Sequence, residues 1–409
     1  MTDFPDGWVL TNLGRISEKP KYGWTTSAAG TGTVKLLRTT DITRGPVKWG
    51  EVPFCFEVPK ELEKVEVKSG DIFISRTGVG VGTSALIGGE VPLSVFASYL
   101  IRIRIVEGVS RRFVRYFFLS PSYWNQISQI STGTAQPNVN AKTLQTIGVP
   151  LPPPAEQERI VEILEEQFSR LDSALASIGA VREKAGAFRR SLLHAAFSGE
   201  LTGGMGGWQE VELSEIAKWS SGGTPRTKDP RFYGGNIPWC VIGDLTEGIV
   251  SITAQTITEE GLSASSAKVV PEGTVMIAMY GASIGRVGIA GLPMATNQAI
   301  ACAQVDEGKA SRWFLLHFLA SQKKLFNAAG QGAAQPNISQ TLLRSWLAPL
   351  PSVAEQERIV EILEGQFSRL ESALDVVSQL EARIASQRRS LLHAAFSGEL
   401  TANWRETHV

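Results

Sequence analysis

Cysteine is scarce in this 409-residue chain: Cys55, Cys240 and Cys302 are scattered, and none lies in a CxxC pair. Three such residues exclude a disulfide framework and a cysteine-rich zinc module, and they fit a reducing compartment. No apolar run approaches the roughly 18–20 residues that span a bilayer, and the N-terminus lacks a basic segment followed by an apolar stretch. A soluble, cytoplasmic protein without membrane contact is therefore expected. Charge of one sign is also missing, since 40 Lys and Arg face 40 Asp and Glu. That balance excludes a uniformly basic coat for indiscriminate nucleic-acid binding, but not a local basic face.

Catalytic motifs are absent as well. The Gly-rich stretches RTGVGVGT (76–83) and YGASIGR (280–286) match neither the dinucleotide fingerprint nor the phosphate loop. They read as tight turns, with a backbone close to a phosphate as the alternative. His194 and His393 sit on apolar helices without a ligand partner at metal-binding spacing, so no metal site is expected. There is no GxSxG elbow and no HExxH. The proline strings near 150 and 350 lack the Asn/Asp-Pro-Pro-aromatic order of an amino-methyltransferase. The sequence predicts a chain that is not itself an enzyme.

What is present is a duplication. AEQERIVEILEEQFSRLDSAL (155–175) returns as AEQERIVEILEGQFSRLESAL (354–374), differing only at 166/365 and 172/371. RRSLLHAAFSGELT occurs unchanged at 189–202 and 388–401, at the same offset of 199, and the 13 residues between the blocks match at no position. AQPN recurs at Ala135–Asn138 and Ala334–Asn337, Trp8 echoes Trp208, and Asp41 answers Asp244. The chain thus divides into a globular segment (1–150), a repeated helical segment (151–206), a second globular segment (207–349) and a second helical segment (350–409).

Prolines ahead of each AEQER run suit a helix start. Leu164, Phe168, Leu171 and Leu175, like Leu363, Phe367, Leu370 and Leu374, recur at spacings of four and three, a heptad seam that wants a partner helix. The two seams are expected to satisfy each other in an antiparallel coiled coil; the alternative is that each helix packs on its own domain. The globular segments read as mixed α and β. Tyr99–Val106 alternates Ile101, Ile103 and Ile105 with Arg102 and Arg104, which predicts a half-buried strand. Helices are predicted after Ser110 and Ser311, both in the N-cap position.

Blocks that stay identical should touch the same thing twice. Glu156, Arg159, Glu162, Arg170 and the Arg189–Arg190 pair are read as solvent-facing and yet retained, so two equivalent docking surfaces for one partner are expected, with Arg358 matching Arg159. The drifted modules would carry two specificities for an approximately two-fold ligand, as double-stranded DNA is.

At this point AEQERIVEIL with its LPPP or LPS lead-in, the AQPN turn, the ending FSGEL, LLRTTDI with GDIFISRTG, and SGGTPRTKDPRFYGGNIPWCVIGDL together resemble the specificity subunit of type I restriction-modification enzymes. The resemblance covers essentially the whole chain. It implies an α+β architecture: two mixed target-recognition domains separated by two long helices in an antiparallel coiled coil, with a pseudo-two-fold duplication. It also implies a non-catalytic subunit in which each recognition domain reads one half of a split, asymmetric DNA site while the helices set the spacing and dock two methyltransferase subunits. S-adenosylmethionine would belong to those subunits, and ATP and magnesium to a partner nuclease that translocates DNA; no cofactor is expected in this chain. The short tail after the second GELT would complete the first domain, bringing the termini together. A two-domain adaptor binding proteins or glycans is the rival reading.

Polar and basic residues of the matched loops are the candidate DNA contacts: Arg38, Thr39, Thr40, Arg76, Thr77, Gln136 and Asn138 in the first module, and Thr224, Arg226, Lys228, Tyr280, Ser283, Arg286, Gln335 and Asn337 in the second. Arg suits guanine, Asn and Gln suit adenine, and Thr, Ser and Lys suit phosphate. The zero net charge divides unevenly. Segment 1–150 has 17 basic and 12 acidic residues, whereas 207–349 has 11 of each. The isolated chain is expected to bind DNA poorly.

Overall fold

The structure, a computed structural model, describes residues 4–43, 45–78, 80–131, 138–330 and 336–408. The chain forms two compact units. Unit 1 comprises 1–178 and 378–409, and unit 2 comprises 179–377. Each unit therefore takes one globular module, the first half of the long helix that follows it, and the last half of the other long helix. The helices run Pro154–Phe197 and Val353–Ser397. Both continue through the drifted 13 residues, where Ile178 and Val377 still carry the buried seam and no helix-breaking proline occurs.

In unit 1, Val9–Asn12 pairs antiparallel with Gly148–Leu151 and ties the ends of the module together. Among the described residues, one four-stranded sheet has the order Lys21–Tyr22, Leu100–Ile103, Ile72–Ser75, Ser84–Leu86. Ile72, Ile74, Ile101 and Ile103 face one apolar cluster, while Phe73 and Leu100 face another. Because the sheet is covered on both faces, the strand Leu100–Ile103 within the expected half-buried segment is buried throughout, and Arg102 is only 2% exposed. Its guanidinium donates to the carbonyls of Glu66 (2.8 Å) and Lys64 (3.2 Å) and lies over the Phe96 ring. The alternation misled because a fully hydrogen-bonded arginine can occupy an interior position. Arg104 donates to Asp71 at 2.6 Å.

Unit 2 repeats the plan. Gln209–Glu212 pairs with Leu347–Leu350. A five-stranded sheet orders Ala217–Ser221, Ile300–Val305, Val275–Ala278, Val287–Ala290 and Ile249–Val250 among the described residues. Val275, Ile277, Ala301 and Ala303 face one cluster, and Met276, Ala278, Ile300 and Cys302 the other. Each module carries a second, four-stranded sheet with one parallel pair, Lys35–Leu37 with Ser94–Phe96 and Tyr233–Cys240 with Met294–Thr296.

Both expectations for the long helices are met within each unit. In unit 1 Ile160, Val161 and Leu164 share a core with Phe113 and Phe117 of the module and with Leu392, Ala395 and Phe396 of the other helix. In unit 2 Ile359, Leu363 and Phe367 meet Phe314 together with Leu193 and Ala196. Low numbers on one helix meet high numbers on the other, so the pairing is antiparallel. The repeated phenylalanine seats in the same way twice: Phe396 lies 5.1 Å from Phe113 and 5.5 Å from Phe117, and Phe197 lies 5.2 Å from Phe314 and 5.4 Å from Phe318. Phe168 and Phe367 also contact their own modules, through Tyr116 and His317. Leu171 is buried, whereas Leu175, Leu370 and Leu374 are half-buried.

Two expectations about the repeated polar residues need correction. Glu156 is not solvent-facing; it is 1% exposed. Its carboxylate accepts from Trp8 Nε1 (3.0 Å), Thr401 Oγ1 (2.6 Å) and the Arg405 guanidinium. Arg189 is half-buried, 4.1 Å over the Phe367 ring, and its repeat Arg388 lies 5.1 Å over Phe168. Arg159, Glu162 and Arg170 are exposed as expected. Part of the retained polarity is thus internal. Gln157 and Gln356, both buried, accept the backbone N–H of Ser110 (2.9 Å) and Ser311 (2.8 Å) and donate to Pro152 and Pro351 carbonyls. Ser110 caps its helix, whereas the Ser311 hydroxyl makes no capping bond.

The C-terminal helix Ala402–His408 brings the ends of unit 1 together. Arg405 donates to Gly398 O and approaches the Trp8 ring, and a Cβ at Gly398 would run into Pro5.

Candidate nucleic-acid interface

The sequence places Asp41 and Asp244 at matching positions, and both build the same turn. The Asp41 carboxylate accepts the Arg38 backbone N–H at 2.8 Å, just as Asp244 accepts that of Val241 at 2.9 Å. Arg38 adds a forked pair to Asp41, 3.0 Å from Nε and 2.9 Å from Nη2, which raises the guanidinium pKa. A partly exposed pair of this kind orients the side chain more than it stabilises the fold.

Arg38, Thr39 and Thr40 form one wall of a cleft of about 690 Å³. Leu36 and Ala97 contribute buried surface, and Trp24, Phe56, Glu57 and Tyr99 are among the other lining residues. Phe56 is 72% and Tyr99 62% exposed, and the Thr39 hydroxyl is buried without a partner among the described residues. Tyr99 links this cleft to the Gly-rich loop, since its carbonyl accepts the Arg76 N–H at 3.1 Å. The Arg76 guanidinium lies 4.8 Å over Tyr22, and its Nε is another buried atom lacking a partner among the described residues.

Asn138 and Asn337, the last residues of the repeated AQPN, together with the residue after each, strap that loop in both units. Thr77 bridges Asn138 and Tyr280 bridges Asn337; Val139 donates to Arg76 O, and Ile338 to Met279 O, each at 3.0 Å. The side chains of Asn138 and Asn337 are exposed. Gln136 and Gln335 lie outside the described residues. The loop glycines are turn formers: Gly82 (φ 85°) and Gly285 (φ 80°) adopt left-handed backbone that disfavours a side chain. A Cβ at Gly82 would also approach Ile127 to 2.8 Å, and the buried Tyr123 hydroxyl donates to Gly82 O at 2.8 Å.

In unit 2, Thr224 bonds Gln298, and the next residue, Ala299, accepts the Met279 N–H at 2.8 Å beside Tyr280. Thr224, Tyr280, Ser283 and Arg286 thus follow one connected path. Arg226 and Lys228 are exposed and flank Thr227, which lines a second cleft of about 690 Å³ with Tyr233, Trp239, Val241, Gln255 and Thr256. Trp24, Phe56 and Tyr99, like Tyr233 and Gln255, were not singled out from sequence. Isolated aromatics in polar loops offered a faint signal, which only their exposure sharpens.

These paired modules match a family model described as a type I restriction modification DNA specificity domain over residues 5–176 and 205–377. The chain belongs to this family. Its specificity domains recur in a type I restriction enzyme EcoKI specificity subunit from Escherichia coli (strain K12), 24% identical and covering 98% of this chain and 91% of the relative. The EcoBI specificity subunit of Escherichia coli is 28% identical over 71% of this chain and 66% of its own length. The fold is shared with a solved chain described under complex assembly and conformational transition of the type I R-M system, at a TM-score of 0.76 and 20% identity, covering 97% of this chain and 100% of that one. It is shared too with the HsdS subunit from Thermoanaerobacter tengcongensis, at a TM-score of 0.54 and 20% identity, covering 97% and 98%. As a member of the type I specificity family, the chain recognises DNA sequence. No helix among the described residues is long and apolar enough to cross a membrane, and no cluster of metal-ligating side chains occurs among them.

Proposed function

We propose that each unit reads one half of a split, asymmetric DNA site, and that the paired long helices set the spacing between the halves and dock two methyltransferase subunits. The observation that supports this reading most is the contrast between seams and loops. The same phenylalanine and arginine contacts recur in both units, while the recognition loops share their backbone straps and differ in nearly every side chain. A constant frame holding two different readers suits an asymmetric two-part site. Arg76, Arg226, Lys228 and Arg286 would supply contacts to phosphate or guanine, and the exposed Asn138 and Asn337 would position the loops. S-adenosylmethionine would be held by the methyltransferase subunits, and ATP with magnesium by the nuclease subunit of the complex. The exposed Arg159 and its repeat Arg358 are candidates for partner docking.

Mapping methylated adenines in the host genome, with and without this chain, tests the proposal. Two short motifs separated by a fixed gap are the expected result. A single continuous motif, or methylation independent of the chain, would refute it. In vitro, affinity should fall steeply with salt as counterions are released.

A further inference from the structure

Among the described residues, Glu247 is the non-glycine position with a left-handed backbone, at φ 61°. Such strain persists where the surroundings fix it, and it clusters at working sites. Glu247 follows the turn Ile242–Asp244, beside Val241 of the second cleft, and precedes the strand Ile249–Val250. Its backbone N–H is held by Val287 O at 2.9 Å, and its carboxylate accepts Arg189 Nη2 at 3.1 Å. Arg189 belongs to the first long helix and lies over Phe367 of the second. The Phe367 ring packs 5.6 Å from His317, which bonds Glu364 at 2.7 Å. One side chain thus joins a recognition loop to both long helices.

The first unit is built otherwise. Among the described residues Arg388, the repeat of Arg189, pairs with Asp172 on a long helix. The aligned loop sequences are DITRG (41–45) and DLTEG (244–248), so the position of Glu247 is occupied by Arg44, of opposite charge.

We propose that Glu247 is a positioning residue specific to the second module, latching its cleft-bearing loop to Arg189 and so fixing how the second half-site is presented to the loop. The DNA-reading part of this inference rests on the function proposed above. Glu247→Asn keeps a residue that tolerates left-handed backbone while removing the charge; Glu247→Arg installs the first module's residue. Both are compared with the unaltered full chain assembled with its methyltransferase subunits. Amide exchange over residues 245–250 should accelerate roughly three- to tenfold in both variants. Unchanged exchange overturns the latch, whatever the chain binds. In competition binding with duplexes altered in one half-site, discrimination at the second half-site should fall roughly threefold or more, and the first should be unaffected. Faster exchange with intact discrimination would overturn the positioning role. If the unaltered chain showed no sequence preference at all, the DNA-reading function would fall, and exchange alone would decide the latch.

Discussion

Replacing Arg405 by Ala tests how the last turn of the chain holds unit 1. Glu156 is buried and accepts three donors, of which Arg405 carries the compensating charge. Removing one partner of a buried ion pair costs about 3–5 kcal/mol when nothing else reaches the charge left behind. Here Trp8 and Thr401 still donate, so the expected loss is smaller, about 2–3 kcal/mol. For a unit of this size that lowers the calorimetric midpoint by roughly 5–10 °C. Combining Arg405→Ala with Glu156→Gln should recover about 1–2 kcal/mol of the summed losses, because the charge that needed a partner is gone. Glu355 supplies an internal control. It occupies the same place in the repeat but is half-buried, and its carboxylate accepts from Thr202 at 2.7 Å. Glu355→Gln should therefore cost less than about 1 kcal/mol. An Arg405→Ala protein within about 0.5 kcal/mol of its parent, or equal losses for the two glutamates, would refute the reasoning.

Three further outcomes are expected. Arg286→Ala should weaken binding at one half-site by about 1–3 kcal/mol if the guanidinium reads a base; a uniform loss across sequences in a binding titration would make it a phosphate contact. Burial pushes the Cys240 thiol up to about 12 and Cys302 to about 11, so neither should react with a thiol reagent at pH 8 until the chain is unfolded. His317 holds the Glu364 carboxyl below its ordinary value of 4.5, with Arg189 adding to the effect. The stability this pair contributes is present above that value and lost as pH falls through the lower folded one. His317→Phe should flatten that acid limb of the unfolding profile, and an unchanged limb would contradict the assignment.

The sequence made the repeated framework legible because identity over long blocks can be counted directly. It also exposed the heptad seams and the recurrence of AQPN. It did not show which repeated polar residues are internal. Glu156 reads as a surface residue by helical spacing, and only Trp8, Thr401 and Arg405, drawn from distant parts of the chain, make it a buried one. Arg102 misled for the same reason, since the carbonyls that satisfy it lie 36 and 38 residues away. The candidate interface was partly legible. Basic and amide residues stood out by type, whereas the exposed Phe56 and Tyr99 carry no pattern, and their role as cleft walls depends on which strands lie beside them.

The division of the long helices also governs the order in which the chain can be completed. Unit 2 is continuous from residue 179 to 377, so every contact within it is available once that stretch has been synthesised. Unit 1 is interrupted by it: Glu156 waits 249 residues for Arg405, and Phe113 waits for Phe396. Contacts of such long sequence separation form late because loop-closure entropy opposes them. The first module is therefore expected to keep part of its apolar seam open until residues 391–405 reach it, an interval in which exposed apolar surface favours misassembly.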